Sequence, residues 1–268
     1  MKTIFIGKNC IEVDKTDSTN SYLARLQDNQ TLFEGTIVVA KHQEQGRGQR
    51  GTTWESEPNE NLTLSILLQP TFLKPDEQFL LNKVISLGVM QFVKNSLSFG
   101  EGWGEAKIKW PNDIYIGSKK VAGILIENSV SGSKLQQSII GLGINVNQER
   151  FSAELPNPTS LKLITGKKFD LNECISELCS CIEKRYLELR ANQISKIDAD
   201  YLKTLYLFGE WANYKYKGDP DNYRDLKAKI VGVTKPGKLI LEIETGEMLE
   251  CDIKEVEFTP PSTSLPVY

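Results

Sequence analysis

Gln43-Glu44-Gln45-Gly46-Arg47-Gly48-Gln49-Arg50-Gly51-Thr52-Thr53-Trp54 is the stretch on which the fold turns. Two arginines, three glycines and a tryptophan make it too polar for a core segment. Before it, the apolar run Thr36-Ile37-Val38-Val39-Ala40 predicts a buried strand. After it, Leu62-Thr63-Leu64-Ser65-Ile66-Leu67-Leu68 predicts a second. The stretch is therefore a long glycine-rich loop between two strands. It carries fixed positive charge and backbone N–H groups able to wrap an anion.

The string Gly46-x-Gly48-x-x-Gly51 also fits the dinucleotide-binding fingerprint, but that motif needs a helix to begin inside the glycines and meet the pyrophosphate. Here Pro58 and Asn59-Glu60-Asn61 lead straight into a strand. A protein-kinase glycine loop does lie between strands, yet no His-Arg-Asp or Asp-Phe-Gly follows. A basic surface loop without chemistry is the alternative, and the glycine pattern alone does not separate the two.

Composition bounds the answer. The 268 residues suit one large domain, or an ordinary one plus a small module. With 40% apolar and 25% charged residues the chain reads as soluble and globular. A net charge of −3 argues against a broad basic face for nucleic acid. No apolar run approaches the ~20 residues needed to span a bilayer, so no membrane role is expected. Met1 to Lys8 is too short and too soon interrupted for a signal peptide. Cys10, Cys174, Cys179, Cys181 and Cys251 show no C-x-x-C spacing, which predicts reduced, mostly packed thiols and a cytoplasmic protein. Three of them fall within eight residues, but no histidine or fourth sulfur completes a metal site.

Taken in order, Ile4–Ile6 and Cys10–Val13 predict short strands. Asp17-Ser18-Thr19-Asn20 then begins a helix, with Asp17 or Ser18 as its cap. Hydroxyl and amide groups at such an N-terminus also suit a small polar ligand. Residues 75–95 predict a long helix, apolar on most of its circumference and hence buried. Residues 106–110, 114–116, 119–127 and 135–145 predict strands joined mainly by turns, so the sheet should be mixed or mostly antiparallel. Asp170-Leu171-Asn172-Glu173 has capping-box form ahead of a helix to about 191, and 197–208 predicts another. Beyond Gly209, short strands separated by tight turns imply a small β-barrel.

Three further stretches set polar groups in strand context. In Lys109-Trp110-Pro111-Asn112-Asp113 a cation, an amide and a carboxylate surround a turn that proline and asparagine would form anyway. In Lys119-Lys120-Val121-Ala122-Gly123-Ile124-Leu125-Ile126-Glu127 a lysine at the edge of an apolar floor could stabilise a phosphate or an oxyanion; a solvent-facing lysine is the plainer alternative. In Gly141-Leu142-Gly143-Ile144-Asn145 small residues admit a close backbone or ligand, and Asn145 could bind base, ribose or phosphate or simply close a turn.

In this order the motifs resemble those of the biotin–protein ligase family, in the class without an N-terminal DNA-binding domain. The resemblance rests on Ser18-Thr19-Asn20, on Gln43 with Gly46-Arg47-Gly48-Gln49-Arg50-Gly51 and Trp54, on Lys109 to Asp113, on Lys120 to Leu125 and on Gly141 to Asn145. It implies an α+β fold of the class II aminoacyl-tRNA-synthetase-like, biotin–lipoate ligase type. A mixed or antiparallel sheet flanked by helices would occupy residues 1–209, an SH3-like barrel 210–258 and a tail 259–268. It also implies two half-reactions. Biotin's carboxylate attacks the α-phosphate of ATP, with Mg²⁺ assisting, to give biotinyl-5′-adenylate and pyrophosphate. A lysine amine on a biotin carboxyl carrier protein, such as the carrier of acetyl-CoA carboxylase, then takes the biotinyl group and AMP leaves.

On this resemblance Lys120, Arg47 and Arg50 offset the repulsion of two anions, and Asp113 orients the incoming amine or a metal ion. Ser18, Thr19, Asn20, Gln43, Gly46, Gly123 and Leu125 hold biotin, Gly123 to Leu125 forming its apolar floor. Trp54 stacks on adenine, while Gln49, Asn112 and Asn145 face the nucleotide. The glycines let the loop close and exclude water from the anhydride. One position departs from the pattern: many members carry arginine where this chain has Gln49, so intermediate retention should be weaker. A lipoate–protein ligase is the alternative enzyme, but its arginine-rich Ser-Gly-Gly-Gly stretch is missing. A biotin-dependent repressor would need a helix-turn-helix ahead of the first strand, and a non-catalytic biotin-binding module would not need Lys120, Arg47 and Asn112. Homodimers formed through the sheet occur among relatives.

Overall fold

Leu62–Leu68 (β3) is buried at every position, which requires a layer on each side of it. Its side chains alternate. Leu62, Leu64, Ile66 and Leu68 join the main core, whereas Leu67 packs in a smaller cluster with Leu23, Leu32 and Val38. Thr63 and Ser65 share Leu67's face, so one side of this strand carries hydroxyls at full burial. The computed structural model describes residues 2–97, 105–219 and 222–259, with the side chains of Arg50, Asp219 and Asn222 outside that description.

Along the chain, Cys10–Thr16 (β1), Thr19–Asn29 (α1), Ile37–Gln43 (β2) and β3 are followed by Gln78–Leu97 (α2). Ala106–Lys109 (β4), Asp113–Ile116 (β5), Lys119–Ser131 (β6) and Lys134–Ile144 (β7) complete a seven-stranded sheet in the order β1-β2-β3-β7-β6-β5-β4. Only β1 and β2 run parallel; the other pairs are antiparallel, as the hairpin connections predict. Leu161–Thr165 (α3), Leu171–Arg190 (α4) and Ile194–Thr204 (α5) follow. Helix α1 lies against β2, β3 and β7, while α2 packs against α4 and α5 in the main core. Phe92 of α2 is fully buried there. Phe92→Ala should cost about 3–5 kcal/mol of stability, read as a lowered midpoint in urea at unchanged slope.

The sequence and the structure part company at several ends. Ile4–Ile6 is not a strand. Its three successive N–H groups converge on the carboxylate of Glu183 in α4 at 2.6, 2.8 and 2.9 Å, a partner that no sheet could supply. Helix α5 stops at Thr204 rather than Phe208. Leu205 turns extended, bridges Ile108 of β4, and Tyr206 N–H donates to the Ile108 carbonyl at 2.8 Å. At α4 the predicted cap holds, with Asp170 accepting from the N–H groups of Asn172 and Glu173. At α1, Ser18 occupies the cap position without a side-chain cap bond. The Thr19 N–H is satisfied across the fold instead, by Gln43 Oε1 at 2.8 Å.

Trp211–Asp219 (β8), Asn222–Val233 (β9), Leu239–Ile243 (β10), Met248–Cys251 (β11) and Val256–Phe258 (β12) form a second, wholly antiparallel sheet in the order β11-β10-β9-β8-β12. Where a barrel was expected, the structure shows a five-stranded sheet with β11 and β12 at its two ends. It is tied to the rest of the chain. Trp110 Nε1–H donates to the Gly237 carbonyl at 2.9 Å, and Lys235 pairs with Asp76 at 3.0 Å. The tail expected at 259–268 falls, beyond Thr259, outside the described residues. Among the described residues no helix is long and apolar enough to cross a membrane.

Candidate active site

The hydroxyl-bearing face of β3 packs under the start of α1, where Ser65 Oγ meets Thr19 Oγ1 and Asn20 Oδ1. A cavity of about 360 Å³ opens there. Five separate segments of the chain form it: the start of α1, the end of β2 with the glycine-rich loop, the turn into β5, and strands β6 and β7. Ile253 comes in from the second sheet.

The glycine-rich loop folds back on itself. Trp54 N–H donates to the Gly46 carbonyl at 2.8 Å and Gly48 N–H to the Thr52 carbonyl at 2.7 Å, with one short 3-10 turn at Gln49–Gly51. Gly46 therefore forms the neck of the loop and does not line the cavity: a Cβ there would lie 2.3 Å from the Trp54 carbonyl oxygen. Arg47, Gln49 and Trp54 do line it, together with Gly48, Thr52 and Thr53. The neck brings the Trp54 indole down onto the sheet. Gly123 of β6 and Gly143 of β7 are register partners, and an added Cβ would meet the ring at 3.0 Å and 2.3 Å respectively. Gly123 was expected as open floor for a fused ring; here the indole covers it.

Lys120 and Asp113 face one another across the β5–β6 hairpin, Nζ to Oδ1 at 2.8 Å, and both line the cavity. The Lys120 ammonium also stands 5.7 Å from the centre of the Trp54 ring. Its backbone is held at both ends, N–H to the Asn157 carbonyl and carbonyl to the Thr159 N–H, each at 2.9 Å. Asn112 is buried, lines the cavity and donates Nδ2–H to the Ile124 carbonyl. Lys109 of the same motif turns away. Its Nζ donates to Tyr115 Oη at 3.1 Å and lies between the Tyr115 and Phe258 rings. Burial lowers the pKa of that ammonium, with Lys120 adding to the effect and Asp113 opposing it.

Ser18, Thr19, Asn20 and Gln43 close the opposite wall, and Leu125 lies on the floor. Thr19, Asn20 and Gln43 are connected by hydrogen bonds through Ser65. Thr19 Oγ1 and N–H both donate to Gln43 Oε1, Ser65 Oγ lies 2.7 Å from Thr19 Oγ1, and Ser65 lies 2.5 Å from Asn20 Oδ1. Asn145 does not reach the cavity. Its Nδ2–H donates to the Thr159 carbonyl at 3.0 Å, and its buried Oδ1 has no partner among the described residues. The Arg50 side chain, expected here as a third cation, lies outside the described residues.

Sequence reasoning passed over Ser65, Glu127 and Ile253. Ser65 left a signal, since a hydroxyl inside a wholly apolar run must find a buried partner. Glu127 left none: it pairs with Arg47 across eighty positions, at 2.8 Å. Among the described residues no group of three or more His, Cys, Asp or Glu could hold a metal ion. Asp113 is the cavity's own carboxylate.

Residues 12–145 match the model of the biotin/lipoate A/B protein ligase family. The chain is 32% identical over 250 residues to the bifunctional ligase/repressor BirA of Bacillus spizizenii, covering 92% of this chain and 73% of that protein. It is 26% identical over 236 residues to the biotin–[acetyl-CoA-carboxylase] ligase of Mycobacterium tuberculosis, covering 86% and 82%. Among solved structures, the biotin protein ligase from Aquifex aeolicus in complex with biotin and ATP superposes with a TM-score of 0.75 at 28% identity, over 94% of this chain and 99% of that one. The chain belongs to the biotin/lipoate A/B protein ligase family. Within it, the chain sides with the biotin–protein ligases.

Proposed function

We propose that the cavity joins biotin to AMP and then delivers the biotinyl group to a lysine of a biotin carboxyl carrier protein. ATP-dependent biotin ligation is the activity of the chain. The single observation that supports this cavity as its site is the meeting there of Arg47, Lys120 and Asn112, which the sequence places on three separate segments.

The chemistry asks for what these residues offer. Biotin's carboxylate oxygen attacks the α-phosphorus of ATP, the bond to the bridging oxygen breaks, and pyrophosphate leaves. Both reactants are anions, so cations must offset their repulsion and the charge building on phosphorus. Lys120 and Arg47 supply that, with Arg50 as the third cation. Asp113 directs the Lys120 ammonium into the cavity. In the second step a carrier lysine amine attacks the anhydride carbonyl and AMP departs, with Asp113 orienting that amine. Asp113 is the cavity carboxylate that would hold Mg²⁺ bound with the nucleotide, where the ion would offset charge on the phosphates.

Ser18, Thr19, Asn20 and Gln43 face the ureido group, whose donors and acceptors match theirs. With Trp54 over Gly123 and Asn20 over Gly141, the floor left for the fused rings is Leu125. The outer face of the indole takes adenine, and Gln49 and Asn112 serve the nucleotide's polar groups. Residues 1–209 form the catalytic part and 210–258 a small C-terminal part that supplies Ile253.

Radiolabelled biotin should pass to a purified carrier domain only when ATP is present, with at least one pyrophosphate released per transfer. Labelling without ATP would refute the scheme. Gln49 allows a second check. In Gln49→Arg, a charge-assisted hydrogen bond near the phosphate, about 1.5–3 kcal/mol, should slow escape of the acyl adenylate about tenfold. Free biotinyl adenylate measured without carrier reads this directly, and an unchanged escape rate would show that position 49 does not face the intermediate.

A further inference from the structure

We propose that Glu127 is a positioning residue for biotin activation, setting the place of Arg47 at the cavity rim. One oxygen, Glu127 Oε2, accepts from Arg47 Nη2 at 2.8 Å and from Asn20 Nδ2 at 2.7 Å. A single carboxylate thus fastens the glycine-rich loop to the start of α1. Glu127 does so from outside. It lines a second cavity, of about 460 Å³, on the far side of Arg47, while Arg47 borders both cavities.

This arrangement orients Arg47 rather than quenching it. A guanidinium has five N–H donors in a fixed fork, so Nη2 can stay on Glu127 while the other donors face an anion in the cavity. Arg47 stands between Gly46 and Gly48 and is half exposed, so little else fixes its rotamer. The other partner of Glu127 is fixed. Asn20 is buried, and Gly141 lets it lie against β7, where an added Cβ would come 2.5 Å from Asn20 Oδ1. Asn20 then leads through Ser65 to Thr19 and Gln43. Losing the Glu127 carboxylate would free the loop cation and leave the buried Asn20 amide without an acceptor.

The proposal rests on the ligase reading above, and the test uses biotin-dependent ATP–pyrophosphate exchange on the full chain. Glu127→Ala should raise the biotin KM about tenfold while kcat stays within about threefold. Glu127→Gln, which keeps an acceptor but no charge, should fall between it and the parent, with an unaltered melting temperature. In an Arg47→Ala background, adding Glu127→Ala should change KM by no more than about threefold, because the loop cation is already gone and only the Asn20 contact is left to lose. A merely structural role would lower kcat and stability alike in both backgrounds. Equal effects of Glu127→Ala with and without Arg47 would overturn the proposal, as would an unchanged KM in Glu127→Ala. If Glu127→Ala fails to fold, Glu127→Gln carries the same cycle. No exchange by the unsubstituted chain would instead strike the ligase reading, and this proposal with it.

Discussion

Lys120→Ala is expected to reduce biotin-dependent pyrophosphate exchange at least about a thousandfold while the protein melts within a few degrees of the parent. Removing one donor from a developing oxyanion typically costs about 10²–10³ in rate. Here the loss should be larger, because it leaves Asp113 facing two anionic substrates without its counter-ion at 2.8 Å. The stability side of the prediction follows from exposure. The Lys120 and Asp113 side chains are 31% and 27% exposed, so solvent screening limits the pair to roughly 1 kcal/mol. A loss of that size shifts the melting temperature by about 2–4 °C in a domain of this size. Near-normal exchange in Lys120→Ala would count decisively against the assignment. Lys120→Arg should recover only part of the rate, since the guanidinium keeps the charge but not the compact geometry.

A second large effect is expected from one methyl group. Gly143→Ala places a carbon 2.3 Å from the Trp54 ring, closer than any real contact, on the strand directly beneath the indole. The β7 backbone is locked between β3 and β6, so the indole must move. Overpacking of this kind costs about 1–3 kcal/mol. Losing the stacking surface for adenine, about 1–3 kcal/mol per base, should raise the ATP KM tenfold or more. Trp54→Ala in the same chain should restore the stability lost to Gly143→Ala but not the nucleotide affinity. The two substitutions would then be strongly non-additive in melting temperature. Additive losses would mean that the ring and the glycine are not in contact.

What could be read from the chain alone follows physical range. Strand β3 and helix α2 were legible because burial on most sides leaves a predominantly apolar segment, and the hairpins of β4 to β7 because turn residues announce themselves locally. The cavity walls were legible in part for the same reason: each carries its own short motif. Features held by distant partners were not. Ile4–Ile6 reads as a strand until Glu183 is brought to its amides. The start of α1 reads as capped by the side chain of Asp17 or Ser18 until Gln43 arrives from β2 to take the Thr19 N–H. Glu127 reads as the polar end of a strand until Arg47 meets it. Trp54 was recognised as a flat surface, but nothing in its neighbours says that it would rest on Gly123 and Gly143.

The bond from the Trp110 indole to the Gly237 carbonyl bears on anyone wishing to shorten the protein. That loop of the second sheet braces the residue just before Pro111, Asn112 and Asp113, and Ile253 supplies part of the chamber wall. Cutting the chain at residue 209 would remove the acceptor of the Trp110 indole N–H and open one flank of the cavity to water. On the function proposed above, that water would hydrolyse the acyl adenylate, so truncation should uncouple pyrophosphate release from transfer.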